Sequence, residues 1–212
     1  KEISNIRHNR KEEFIKAIES EMNDLGMSST KFDVEIMSDE DEEGILIVDG
    51  VNIKANAYGI DNIEFIIAPN KQSIFQPLRK IASGGEISRI MLSLKNVLSL
   101  GDYCETMVFD EIDVGVGGRI AEVIGEKIAA LSKRKQILSV THLAQIAIYA
   151  NTHFKVIKNE GEDNVTSTIE ELNENTRVGE IARMITGKEI TEASIKHAAE
   201  LLEGARKSNI FI

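Results

Sequence analysis

After Pro77 the chain alternates short apolar segments with amphipathic segments, and this alternation limits the possible folds more than any other sequence feature. It predicts strands over residues 106–109, 137–140, 154–157 and 167–172, and helices over residues 87–100, 120–131, 144–149, 178–185 and 193–205. Short apolar strands that alternate with helices are typical of parallel sheets, because the helices cover the sheet faces. We therefore expect an α/β fold with a mostly parallel sheet flanked by helices.

The part before Pro77 has a different pattern and is expected to be antiparallel. Residues 32–37, 45–48 and 63–68 have the composition of strands. The acidic run at residues 39–43 is interpreted as a solvated hairpin tip and not as a binding site.

Residues 1–25 are predicted to form one polar helix that ends at Gly26. Apolar residues spaced by three, four and three positions form a short heptad seam in it: Ile15, Ile18, Met22 and Leu25. Two interpretations of the seam fit equally well. It is either one face of an amphipathic surface helix or the end of a coiled coil that is cut on its N-terminal side. We divide the chain accordingly into residues 1–26, the possible coiled-coil end, and residues 27–212.

Composition excludes several classes of function. A single cysteine, Cys104, excludes a disulfide framework and a cysteine-rich zinc site. Aromatic residues make up 5% of the chain and tryptophan is missing, which disfavours a base-stacking platform for single strands. The formal net charge of −10 restricts any DNA contact to local basic groups. The candidates are Arg7, Arg10 and Lys11, or Lys133, Arg134 and Lys135.

The sequence also indicates a location. No apolar run reaches the length of a membrane span, so no membrane contact is expected. The chain begins at Lys1 without a basic and apolar leader, and its cysteine usage fits a reducing cytoplasm. The absence of an initiator methionine suggests a piece of a longer protein.

A serine and two glycines stand at the start of the helical segment 87–100. The segment supplies a hydroxyl group, a backbone that a ligand can approach closely, and the free N–H groups of a helix start; its residues are Ser83, Gly84, Gly85 and Glu86. That combination can cradle a phosphate. By itself, an ordinary glycine turn capped by Ser83 explains it as well.

Acidic residues and a histidine follow two of the predicted strands. Asp110 and Glu111 come directly after residues 106–109, and His142 follows residues 137–140. The carboxyl ends of parallel strands meet at one edge, where open α/β folds bind ligands. Paired carboxylates there can divide the work, one holding Mg²⁺ and the other orienting or deprotonating a water. Solubility alone can also place polar residues at strand ends.

Two glycine-containing segments do not match known phosphate-binding fingerprints. The loop from Asp113 to Gly118 lacks the third glycine of the dinucleotide pattern, since residue 120 is Ile120. Gly187-Lys188 fails as a P-loop because position 182 is Ala182 and position 189 is Glu189. The chain therefore has no Walker A motif.

The order of these motifs is more specific than any one of them. Serine-glycine-glycine before a helix, a strand with Asp-Glu, an Asp-Gly loop and a strand with His resemble the C-terminal lobe of an ABC-type ATPase. Within that superfamily, the amino-acid sequences of these motifs are similar to those of the RecN family of bacterial DNA-repair proteins, which are relatives of the SMC proteins. The residues that carry the resemblance are 64–66, 81–89, 109–115, 139–147 and 180–184. A departure is Lys71-Gln72 after Asn70, where the family turns with Pro and Gly.

The resemblance implies roles for single residues in ATP hydrolysis. Asp110 would help to hold Mg²⁺ through water, Glu111 would be the general base, and His142 would contact the γ-phosphate. Residues of the signature motif would bind the phosphate of ATP held by an opposite head: Ser83, Gly84, Gly85 and Glu86. Asp113 and Gly115 would lie at the dimer seam.

The resemblance also implies partners. An N-terminal lobe of the same full-length protein would supply the Walker A motif across a coiled coil. Two heads would form an ATP-dependent homodimer, and head closure would be coupled to DNA in double-strand-break repair and recombination. The location would be cytoplasmic and nucleoid-associated. The chain by itself would then be inactive.

Two other classes remain open at this stage. A transporter nucleotide-binding subunit uses the same motifs but carries its Walker A upstream in one short chain. A non-enzymatic interaction module would suit the charge and the missing Walker A. That module would have no physical need for the unbroken set of Asp110, Glu111 and His142.

Overall fold

The computed structural model describes residues 1–208, except for 43, 45, 49, 82, 99, 100, 102, 161–164 and 188. The chain forms two compact units, Lys1–Asp102 and Tyr103–Ile212. In the described part of the chain, no helix has the length and apolar character needed to cross a bilayer.

The described residues of the first unit form two α-helices and two antiparallel sheets. Its helices are α1 (Glu2–Asp24) and α2 (Gly84–Leu98), and a 3₁₀ turn covers Leu78–Lys80. Its strands are β1 (Lys31–Ser38), β2 (Leu46–Val48), β3 (Val51–Ile53), β4 (Asp61–Ala68) and β5 (Gln76–Pro77). β4 pairs antiparallel with both β1 and β5, and β2 pairs antiparallel with β3. The antiparallel expectation is confirmed, and the sequence did not predict β3 and β5.

The heptad seam of α1 packs into the core of this unit. Ile18, Met22 and Leu25 are completely buried, in contrast to Ile3 and Ile6 upstream, which are more than half exposed. Ile15, Ile18 and Met22 lie in one cluster with buried residues of β1, β4 and α2, among them Phe32, Ile67 and Ile90. A coiled coil upstream of this packed part stays a prediction.

The acidic run and the departure at Lys71-Gln72 both lie in exposed segments. Asp39 and Glu40 are exposed, but the hairpin-tip interpretation is wrong: Glu40 bridges Ile53, and the Lys54 N–H donates to the Asp39 carbonyl at 2.9 Å. Residue 43 lies outside the described residues. At the departure, Asn70 Oδ1 accepts from the Gln72 N–H at 3.0 Å, so the Asn70 side chain forms the turn there.

The second unit alternates strands and helices. Its strands are β6 (Thr106–Phe109), β7 (Gln136–Ser139), β8 (Phe154–Glu160) and β9 (Val165–Glu171). Its helices are α3 (Gly118–Ser132), α4 (Ala144–Ala147), α5 (Glu174–Thr186) and α6 (Glu192–Lys207). Every predicted strand and helix of this part is present, and the α/β class is confirmed.

The strand pairing differs from the expectation in one respect. β6 and β7 are parallel, with Phe109 opposite Ser139, but β8 and β9 form an antiparallel hairpin with Val156 opposite Ile169. The parallel arrangement therefore covers one strand pair among the described residues and not most of the sheet. The reason is the connection: a short link joins β8 to β9 directly, and parallel neighbours need a crossover.

The basic candidates for DNA contact on α1 are all engaged with carboxylates. Arg7 bonds Asp61 at 2.7 Å, and Lys11 lies 2.9 Å from Asp33. Arg10 pairs with Glu13 one turn along the helix at 2.5 Å. Because each charge is neutralised locally, α1 offers a weaker DNA surface than its sequence suggests.

Candidate functional site

The carboxyl ends of β6 and β7 lie side by side in the second unit. The register places Phe109 opposite Ser139, and the Val140 N–H donates to the Phe109 carbonyl at 3.0 Å beyond the last pair. The residues after both strands therefore emerge at one edge of the sheet. This brings together Asp110, Glu111 and His142, as the strand-end argument predicts.

Asp110 and Glu111 lie in a tight turn that the Asp110 side chain and the Glu111 backbone form. Asp110 Oδ1 accepts from the Glu111 N–H at 2.9 Å, and the Glu111 carbonyl accepts from Val114 N–H at 3.1 Å. Glu111 has a φ of 57°, the left-handed region that non-glycine residues rarely adopt. Such backbone conformations carry strain and cluster at functional sites. Both Asp110 and Glu111 are exposed, so their carboxylates can meet a ligand or water.

Asp113 differs from its two acidic neighbours because it is buried, with 4% of its side chain exposed. Its Oδ2 accepts from the Thr141 hydroxyl at 2.6 Å and from the His142 N–H at 2.9 Å. The same oxygen lies 3.0 Å from Nδ1 of His142. The carboxylate thus bonds to the loop after β7, and a place for Asp113 at a dimer seam stays a prediction.

Thr141 is a residue that sequence reasoning missed. Its hydroxyl donates to Asp113 and accepts from the Leu143 N–H at 3.0 Å, one residue before α4 begins. The sequence does place this threonine between a buried strand and a candidate histidine, and that position could have indicated a role in the site. The side chain joins the loop after β6 to the start of α4.

Gly115 lies in the turn that follows Asp113. Its φ is 73°, and a Cβ built there would meet nothing within 4 Å. The glycine is therefore required by its backbone conformation and not by lack of space. It is exposed, which leaves its predicted place at a dimer seam open.

The donor set suits Mg²⁺ only in a limited role. Among the described residues, no group of three or more His, Cys, Asp or Glu side chains could form a metal cage. Mg²⁺ usually keeps several waters and binds through one or two carboxylates together with substrate phosphates. Exposed Asp110 fits that arrangement, with the contact made through water.

The signature motif lies in the first unit, at the start of α2. The Ser83 hydroxyl accepts from the Glu86 N–H at 3.4 Å, and the Ser83 carbonyl accepts from the Ile87 N–H at 3.0 Å. Ser83 therefore caps the helix, as the sequence predicts. Ser83 is exposed, Gly84 is half-buried and Gly85 is buried, so only the start of the motif is open to the surface.

By sequence, the chain is similar to DNA repair proteins named RecN. It is 42% identical over 207 residues to RecN of Treponema pallidum (strain Nichols) and 36% identical over 205 residues to RecN of Bacillus subtilis (strain 168). These matches cover 97% and 96% of the chain but 35% and 36% of the relatives. The chain thus spans about a third of the length of the curated relatives it matches. No family model matches it.

Among solved structures, the chain is similar to Smc head domains. The head with a coiled coil and joint from Pyrococcus yayanosii matches with a TM-score of 0.51 at 15% identity, over 91% of this chain and 29% of that one. The head with an extended coiled coil from Pyrococcus furiosus, bound to the C-terminal domain of ScpA, matches with a TM-score of 0.50 at 14% identity. That match covers 86% of this chain and 40% of that one. At such identities the likeness concerns the fold.

Proposed function

We propose, from the premise that this chain is a homologue of part of the DNA repair protein RecN with the fold of an Smc head, that it is the C-terminal lobe of an ATPase head. The whole head would hydrolyse ATP in DNA double-strand-break repair and recombination. The observation that carries the proposal is the convergence of Asp110, Glu111 and His142 at one sheet edge. ATP with Mg²⁺ supplies the phosphoryl group and its charge neutralisation.

The chain's own residues would then position and deprotonate a water. Glu111 is exposed beyond β6 and acts as general base for the attacking water. Asp110, at the preceding position, would hold Mg²⁺ through its water shell. His142 is 73% exposed and can reach a phosphate oxygen while its backbone is fixed by Asp113. Positioning and charge account for most of the rate in phosphoryl transfer.

The exposed apolar face of the parallel strand pair, β6 and β7, is an argument for a partner lobe that covers it. Met107 and Phe109 of β6 are buried, but Val108 is 68% exposed. Leu138 lies opposite Val108 and is 50% exposed. Val140, just beyond β7, is 60% exposed. Parallel strands are normally covered on both faces, so this apolar face suits a second layer. We assign that layer to the N-terminal lobe of the full-length protein, which also brings the Walker A motif.

The signature motif would act on a second head. Ser83 is exposed at the N-terminus of α2, where N–H groups of the first turn lack intrahelical acceptors. Ser83, Gly84 and Gly85 would bind the phosphate of ATP on the opposite head in an ATP-dependent homodimer, with Glu86 in the first turn. DNA and a cytoplasmic, nucleoid-associated location belong to the full-length protein in this proposal.

Glu111→Gln in the full-length protein tests the proposal. The variant keeps the side chain's shape and removes the base, so we expect hydrolysis to stop while ATP binding persists and closed dimers accumulate. Turnover and dimer mass are the measurements, and the chain by itself should show no turnover above its own Glu111→Gln form. Wild-type turnover that survives in Glu111→Gln would contradict the assignment.

A further inference from the structure

The geometry points to Asp113 as a positioning residue that fixes the imidazole ring of His142 with Nδ1 turned inward and Nε2 turned toward the ligand. This inference rests on the proposed ATPase function of the same site and adds a residue to it. Asp113 touches no reacting atom in this role. It acts through the ring that contacts the phosphate.

Burial makes Asp113 a fixed point in the loop. Ile112 before it is completely buried, and the carboxylate itself is 4% exposed. Oδ2 accepts from the Thr141 hydroxyl and from the His142 N–H, so two bonds hold the oxygen independently of the ring. The ring therefore meets an acceptor whose position is already set by the fold.

The ring of His142, in contrast, receives little support from packing. Its side chain is 73% exposed, and an exposed side chain samples several rotamers unless a polar contact holds it. The contact of Nδ1 with Asp113 Oδ2 at 3.0 Å supplies that restraint. The loss of Asp113 would leave the ring free to turn about its side-chain bonds.

The carboxylate also selects which ring nitrogen carries the hydrogen. A deprotonated Nδ1 would place its lone pair 3.0 Å from a carboxylate oxygen, which is repulsive, so the Nδ1–H form is favoured. Nε2 then points away from Asp113, toward the exposed side. Before Nε2 can donate to a phosphate oxygen, the Nδ1–H ring must take up a proton from water at Nε2; the ring then carries both hydrogens, and its positive charge lies between two anions that stabilise it.

Thr141 provides the control that separates ring positioning from loop support. Thr141→Val removes one bond to Asp113 and the bond from Leu143, but leaves the contact between Asp113 and the ring. Asp113→Ala removes the loop bonds and the ring contact together. Asp113→Asn keeps the shape and an acceptor oxygen, so it is the conservative rescue.

The ring itself is observed by long-range ¹H–¹⁵N correlation in the chain labelled with ¹⁵N-histidine, at about pH 8, where an ordinary histidine is neutral. We expect His142 as the Nδ1–H form in wild type and in Thr141→Val. Asp113→Ala should shift it to the Nε2–H form, with Asp113→Asn retaining Nδ1–H. An unchanged His142 signal in a folded Asp113→Ala chain would overturn the inference. If Asp113→Ala does not fold, the wild-type chain decides: a His142 ring in the Nε2–H form would then overturn the inference.

Turnover in the full-length protein completes the test. Asp113→Ala should lower kcat on the order of 100-fold with an almost unchanged KM, since a misplaced group far from substrate binding costs about that much. Thr141→Val should lose far less, and Asp113→Asn should recover most of the rate. Equal kcat losses in Asp113→Ala and Thr141→Val would overturn ring positioning. If wild type and His142→Ala hydrolyse ATP equally, the proposed function of His142 fails instead.

Discussion

The guanidinium of Arg177 lies 2.7 Å from the carbonyl oxygen of Ala150, and it also donates to the carbonyls of Ala147 and Ile148 at 3.2 Å. Arg177 is buried on α5, and the three carbonyls end the turn that begins with α4. A helix end leaves carbonyls without intrahelical partners, and here one buried cation satisfies them. Burial lowers the pKa of Arg177 below its ordinary value. The pKa of nearby His153 is also lowered, first by burial and then by the Arg177 charge.

We predict that Arg177→Met lowers the free energy of unfolding by about 2–4 kcal/mol, because three carbonyls, those of buried Ala147 and Ile148 and of half-buried Ala150, lose the bond from this guanidinium. Urea denaturation of the chain measures the change. Arg206→Met is the matched control, since Arg206 pairs with Glu174 on the surface. It should leave the transition almost in place. A similar loss in both variants would show that the buried contacts of Arg177 add nothing specific.

Two helical glycines should respond in opposite directions to alanine. At Gly125 in α3 an added Cβ would lie 2.4 Å from Cδ2 of Tyr149 and 3.0 Å from the Gln145 carbonyl. Gly125→Ala should therefore destabilise the chain by about 1–3 kcal/mol through overpacking. Gly204 in α6 has nothing within 4 Å, and Gly204→Ala should stabilise by about 0.4–1 kcal/mol. Thermal melts of both variants check the pair, and a stabilising Gly125→Ala would contradict the packing of α3 on α4.

Asp61 predicts a pH dependence of stability in the first unit. Its side chain is 1% exposed and bonds Arg7 and Ser4 at 2.7 Å each. Burial raises the pKa of Asp61, but the bonds from Arg7 and Ser4 outweigh it, and the pKa lies below its ordinary value. A lowered carboxyl pKa contributes stability above the unfolded value of about 3.9, and this is lost as pH falls through the folded value.

We therefore expect Asp61→Asn to cost about 1–3 kcal/mol at neutral pH and progressively less in acid below about pH 4. Denaturant titrations across that range measure the difference from wild type. Asp33→Asn, whose Lys11 pair is about a third exposed, should have a smaller effect. A constant difference between wild type and Asp61→Asn at all pH values would contradict the ion pair.

Ser83→Arg should separate folding from dimerisation. Ser83 is exposed, so the substitution should cost about 1 kcal/mol for the lost cap and little else. In the full-length protein, the long side chain would occupy the place of the opposite head's phosphate, so ATP-driven dimers and turnover should be abolished. Mass photometry with ATP and a turnover assay are the measurements.

Mixed heads test the same claim in trans. A Ser83→Arg head paired with a head mutated only in its Walker A still has one nucleotide site that faces an intact Ser83. Forced heterodimers of this kind should recover part of the hydrolysis, and Ser83→Arg homodimers should stay inactive. Normal turnover by the Ser83→Arg homodimer would end the proposal that the signature motif acts on a second head.

The sequence by itself determined most of the local elements, though not β3 and β5, and the position of the candidate site. The apolar run 106–109 followed by Asp110 and Glu111 predicts a strand end with carboxylates, and β6 and its turn match it. Ser83 predicts a helix start, and α2 begins directly after it. These features follow from periodicity and capping, which depend on neighbours along the chain.

Only the tertiary structure decided which side chains face inward. Asp113 and Glu111 are two residues apart in one loop, yet one carboxylate is buried under His142 and the other is exposed. The seam of α1 packs on β1 and α2, and β9 returns beside β8. Burial and strand pairing depend on contacts between segments that are distant in sequence. The spacing of residues along the chain therefore does not predict them.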